Sequence, residues 1–164
     1  MRSYRRSDSL IPFSRQHQYA LLLCMRIHRG LPVRENDEEW VRAKAAQAVR
    51  FFEVDLIPHF KAEEEVLFPS MRDFSSSSEL LGELLAEHRR LERLVEQLRD
   101  EESFLTEVLK EFADLLEGHI RKEERQLFPI FEEEASDELA KSVGREITGL
   151  IGMALQPGDP DLLK

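Results

Sequence analysis

Two motifs of one kind, His59-x-x-x-Glu63 and His119-x-x-x-Glu123, stand sixty residues apart in this chain of 164 residues. On a helix, positions four apart differ by about 40° in azimuth and lie one turn apart, so both side chains face the same way. Imidazole nitrogens and carboxylate oxygens together suit a transition metal, and a carboxylate can bridge two metals. Two more histidines, His17 and His88, interrupt apolar lines that run through Ala20, Cys24 and Ile27 and through Leu81, Leu84, Leu91 and Val95. A single inward histidine is ordinarily a hydrogen-bonded core residue. An inward carboxylate is different, because burying one unpaired costs several kcal/mol. Four histidines and two glutamates converging in one layer would be an unsatisfied buried cluster unless a cation joined them. The residue pattern therefore predicts a dinuclear metal site built from His17, His59, Glu63, His88, His119 and Glu123.

The elements that must position these residues read with a helical period almost throughout. A first helix is predicted over about 14–29, with Ser14 as N-cap and Gly30 as stop. A second covers about 37–68, with an inner line of Val41, Ala45, Ala48, Phe52, Leu56, His59, Glu63 and Leu67. Pro58 lies inside it and should kink it. A third covers about 79–99, introduced by Ser76 and Glu79 at capping-box spacing. A fourth covers about 103–128, and a fifth about 137–153. His59 sits ten residues before Pro69 and His88 nine after Glu79, so across a short connection the two meet at one height. The phrases FEVDLIPHFKAEEEVLFP (52–69) and FADLLEGHIRKEERQLFP (112–129) repeat Phe, Leu, His, Glu, Glu, Leu, Phe and Pro at equal offsets. Helices two and four thus have equivalent roles. The expected fold is all-α: an antiparallel up-down four-helix bundle with an additional C-terminal helix. Residues 1–12 are expected to form a flexible N-terminal tail, 13–155 the domain, and 156–164 a loose C-terminal tail.

Composition narrows the function. With 33 acidic against 23 basic residues the net charge is −10, a surface that favours cations and argues against nucleic acid and anionic membranes as partners. No apolar run approaches the roughly 20 residues of a membrane span. Arg2, Arg5 and Arg6 precede an apolar stretch, 19–25, but it is short, runs into Arg26 and His28, and lacks a cleavage site of small residues, so a signal peptide is not expected. One cysteine, Cys24, excludes a disulfide framework and fits a reducing, cytoplasmic setting. Cys24 is read as a small buried hydrophobe. His28 shares a direction with His17 but lies about 16 Å further along the axis, beyond ligand reach. No histidine has a glutamate three residues before it, which excludes the ferritin-like di-iron pattern.

These motifs resemble the hemerythrin family, in its HHE cation-binding branch. HFKAEEEVLFP and HIRKEERQLFP are similar to that family's helix motifs, FSRQHQYALLL to its first helix, and the resemblance covers about Phe13 to Phe131. It implies two non-haem iron ions: His17 and His59 on one, His88 and His119 on the other, with Glu63, Glu123 and an oxo or hydroxo group bridging. It also implies dioxygen or another small diatomic as ligand. The alternatives are a di-iron enzyme acting on oxygen, peroxide or nitric oxide, and an iron-handling, storage or sensing protein. One departure stands out. Oxygen-carrying hemerythrins have a fifth histidine one turn before the counterpart of His88, and here that position is Leu84. Each iron would then keep an open position unless Glu87 or Glu92 fills one, and both are read as helix-surface residues.

Overall fold

The computed structural model describes residues 5–100 and 103–164. The fold is all-α, with no strand among the described residues. Helix α1, Ile11–Arg34, is entered through a 3-10 turn at Asp8–Leu10. Helix α2 covers residues 38–70, α3 Ser78–Asp100, α4 residues 105–134 and α5 Asp137–Ile151, and a 3-10 turn at Pro160–Leu163 follows. Asp37 caps α2 by accepting from the Trp40 N–H, and Ser136 caps α5 by accepting from the Leu139 N–H. Both satisfy a donor that the first helical turn leaves open.

Prolines shape α2 and α4. π turns interrupt α2 at Phe52–Leu56 and Glu63–Leu67, and α4 at Glu123–Leu127. Each closes with a bond five residues back, from the N–H of Ile57 to Phe52, of Phe68 to Glu63 and of Phe128 to Glu123. Pro58, Pro69 and Pro129 stand two positions after the three turns. Proline has no N–H and its ring crowds the carbonyl four residues back, so a wider turn absorbs it without breaking the helix. The kink expected at Pro58 takes this form.

Side-chain pairs run in opposite order along neighbouring helices. Moving from Arg6 through His17 to His28, the partners on α4 are Glu132, Glu124 and Asp114. On α3 and α4, Glu87 meets Lys122 and Arg90 meets Glu111. Glu53 and Glu64 of α2 meet Arg99 and His88 of α3. Helix α5 lies against the second half of α2 and the first 3-10 turn, where the Ser9 hydroxyl donates to the Ala140 carbonyl. The apolar core falls into two clusters. One is built around Ala20, Phe51, Leu91, Phe112 and Leu116, the other around Leu10, Phe13, Leu67, Leu84, Phe128 and Phe131. The boundary between them crosses every long helix where a predicted ligand stands.

Several expectations need correction. α1 starts before Ser14 and continues through Gly30 to Arg34. Gly30 is required for another reason: a Cβ there would lie 2.1 Å from the Trp40 ring. The Ser76 hydroxyl donates to Glu134 and takes no part in a capping box. Residues 1–4 of the tail expected to be flexible lie outside the described residues. Further along it, Leu10 and Pro12 are buried and Arg6 pairs with Glu124 at 2.9 Å. The expected loose C-terminal tail is also held. Leu162 is fully buried, and the Asp55 carboxylate accepts the N–H groups of Gly158 and Asp159 at 2.6 and 3.1 Å. The apolar leucines and the satisfied backbone donors explain why both ends are packed.

Candidate metal centre

All six predicted residues meet in one layer between the two apolar clusters, and none is more than 2% exposed. Each comes from an interrupted apolar stripe: His17 from α1, His59 and Glu63 from α2, His88 from α3, His119 and Glu123 from α4. Ligand-type atoms of His17, His59, Glu63 and Glu123 lie within 4.8 Å of one another, as do those of Glu63, His88 and His119. Glu63 spans the two groups, its Oε1 2.8 Å from His59 Nε2 and its Oε2 3.0 Å from His88 Nε2. Glu123 Oε1 is 2.9 Å from His119 Nε2 and 3.5 Å from His17 Nε2. Both glutamates begin π turns, and each stands one helical turn after its histidine.

The atoms that face inward are short of partners. His17 Nε2, His88 Nε2, His119 Nε2, Glu63 Oε2 and both Glu123 oxygens are buried without a hydrogen bond of acceptable geometry, as is His119 Nδ1 on the outer side. Several lie 2.9–3.5 Å apart without forming a hydrogen bond. Orphaned buried groups of this kind cost free energy unless something satisfies them. A cation preferring nitrogen and oxygen ligands fits this donor set.

Outward, the Nδ1 atoms of His17, His59 and His88 have hydrogen-bond partners that escaped the sequence reading, whereas His119 Nδ1 faces a carboxylate without a hydrogen bond. His17 Nδ1 meets Glu124 at 2.7 Å, His88 Nδ1 meets Glu64 at 2.9 Å, and His119 Nδ1 lies 3.6 Å from Glu87. His59 Nδ1 meets Gln16 Oε1 at 2.6 Å. Phe60 stacks on His88 at 3.8 Å between ring centroids, and Phe13 and Phe128 pack on His59 and His17. The charges are divided unequally. Burial and then the neighbouring Glu123 hold the Glu63 carboxyl well above its usual range. Burial opposes ionising Glu123, but His119 and His17 outweigh it and hold that carboxyl well below its usual range. Burial also opposes protonating His119, but Glu123 and then Glu87 carry it up to about 9. Burial and then the field of His119 lower His88 to about 4. Burial and then His17 hold His59 well below its ordinary value.

The remaining candidates lie elsewhere. Glu87 is held by Lys122 at 2.9 Å on the outer side of His119, and Glu92 pairs with Arg89 on the surface. His28 is half-buried and meets Asp114 at 2.7 Å, apart from the cluster. Burial, Glu117 and Asp114 push the Cys24 thiol up to about 12, which suits a buried hydrophobe. No helix among the described residues is long and apolar enough to cross a membrane.

Comparison with known proteins agrees with this geometry. A family profile described as "Hemerythrin HHE cation binding domain" matches residues 12–131 and again 80–146. A DNA nickase from Nostoc sp. (strain PCC 7120 / SAG 25.82 / UTEX 2576) is 34% identical over 87 residues, which is 51% of this chain and 24% of that protein. The chain thus spans about a quarter of the length of this curated relative. No solved structure matches it.

Proposed function

This chain belongs to the hemerythrin HHE cation-binding family, and from that premise we propose that its buried layer holds two non-haem irons and takes up dioxygen or another small diatomic. The long helices then form an up-and-down four-helix bundle with α5 packed outside. His17 and His59 would hold one metal and His88 and His119 the other, with the Glu63 and Glu123 carboxylates within reach of both. The observation that carries the reading is the set of inward, buried donor atoms without hydrogen-bond partners. Bound iron supplies a redox-active Lewis acid with affinity for small diatomics. The chain does the rest. Rings of Phe13, Phe60 and Phe128 pack on the histidines and keep water away. The Nδ1 hydrogen bonds of His17, His59 and His88 fix which nitrogen those rings present. Leu84, fully buried one turn before His88, offers an apolar wall and no ligand.

Leu84 also favours a second reading, an enzyme on oxygen, peroxide or nitric oxide, because a position without a protein ligand is open to a substrate. A net charge of −10 works against nucleic acid as a partner. The test is metal analysis with optical and Mössbauer spectra of anaerobically purified protein, before and after exposure to dioxygen and to nitric oxide. Two irons per chain and a spectral response to either gas are expected. One metal or none, or no response, overturns the proposal.

A further inference from the structure

The outer partners of the four histidines are not alike. Three rings face Nδ1 to a carboxylate that a cation holds in turn: His17 to Glu124 and Arg6 and His88 to Glu64 and Arg89 by hydrogen bonds, and His119 to Glu87 and Lys122 by charge alone, 3.6 Å from the carboxylate and without a hydrogen bond. His59 gives Nδ1 to Gln16 Oε1, a neutral amide, at 2.6 Å. Gln16 sits on α1 and is itself buried, so this contact is built into the core. A metal on Nε2 requires the proton on Nδ1, and the amide oxygen then accepts it. A carboxylate in that place makes the ring a stronger donor than a neutral acceptor does, because its full charge stabilises positive charge drawn onto the imidazole.

The asymmetry falls unevenly on the two metal positions. His88 and His119 are both backed by carboxylates; of His17 and His59 only the first is. The bridges do not reverse this. Glu63 lies 2.8 Å from His59 and 3.0 Å from His88, while Glu123 leans towards His119, at 2.9 Å against 3.5 Å for His17.

We propose that the two positions are unequal by construction: the one at His88 and His119 fills first and empties last, and Gln16 makes the one at His17 and His59 an exchangeable site for a divalent cation. This rests on the dinuclear reading. The chain would hold one metal firmly and exchange the second with its surroundings. Gln16 acts through His59 and is a positioning residue.

The experiment is an anaerobic titration of the metal-free full chain with cobalt(II) alone, by calorimetry and by the cobalt absorption bands. Two steps are expected, about ten- to a hundredfold apart, the range over which such outer partners alter metal affinity. Gln16→Glu should tighten the weaker step about tenfold and leave the tighter one unchanged. Glu64→Gln, at a partly exposed position, should weaken the tighter step alone, and it decides the matter if Gln16→Glu does not fold. A general loss of packing would move both steps together. Two indistinguishable steps in the natural chain, or a Gln16→Glu effect on the tighter step, overturns the inference while leaving the dinuclear reading intact. Uptake of a single metal overturns both.

Discussion

Each site histidine divides its ring between the centre and the helix surface, and the two halves differed in how readily they could be read. The inward donors were legible because polar types broke apolar stripes at matching positions, and all six meet in the layer. The outward partners were not, because Glu64, Glu87 and Glu124 lie beside charged neighbours that resemble an ordinary solvated face. One signal was available: Glu64 and Glu124 recur at the same offset in the 60-residue repeat. Gln16 carried no pattern at all. Three predictions belong here. Glu63→Ala or Glu123→Ala should abolish stable binding of two metals, measured by metal content after desalting; both variants retaining two would remove the bridging role. His28→Ala should keep full metal content, whereas His17→Ala should lose at least one metal, since only His17 reaches the cluster. Loading at pH 7 should release protons to the medium. In the metal-free chain His119 has been carried up to about 9 and so holds a proton at pH 7 that a ligand must give up, and burial and Glu123 oppose ionisation of Glu63. Metal affinity should accordingly rise with pH from neutrality towards 9. A pH-stat that records no proton release on loading would contradict this.

Helix number and approximate limits could be read from periodicity, and the limits failed where tertiary contacts overrode local signals. Gly30 resembles a helix stop, yet α1 continues through it, and the glycine serves instead to leave room for the Trp40 ring. The first and last segments read as tails because they are short and rich in proline or arginine. They are held because Leu10 and Leu162 enter the core and Asp55 accepts two backbone donors. The π turns had a visible cause in Pro58, Pro69 and Pro129, but periodicity cannot tell a kink from a widened turn. Two variants separate these element contacts from the centre. Gly30→Ala should destabilise by about 1–3 kcal/mol through overpacking against Trp40. Asp55→Ala should cost about 1–3 kcal/mol, since it leaves the Gly158 and Asp159 donors without their acceptor. Both should keep the metal content of the natural chain, because neither residue belongs to the layer. Loss of metal from Gly30→Ala at a temperature where it remains folded would show that α1 transmits strain to His17.

At the scale of the whole molecule, a charged layer divides what would otherwise be one apolar core, and the fold is therefore coupled to what the layer binds. Phe13 and Ala20 flank His17, Leu84 and Leu91 flank His88, and Ile120 and Leu127 flank Glu123, so each long helix crosses from one apolar cluster to the other through polar residues. Without a cation the layer is only partly satisfied, by a proton on His119 and contacts of poor hydrogen-bond geometry. A metal that binds the folded state and not the unfolded one adds about 4 kcal/mol when present at a thousand times its Kd. At about 2–4 °C per kcal/mol for a chain of this size, that corresponds to a rise in Tm on the order of 10 °C. Chelation should therefore lower Tm by that order in scanning calorimetry, and readdition of metal should restore it. Hydrogen exchange should quicken first around His59 and His119, where the π turns already carry wider bonds than a regular helix. An apo form that melts at the same temperature as the loaded form, with unchanged exchange at those positions, would mean that the internal proton and contacts satisfy the layer without a metal.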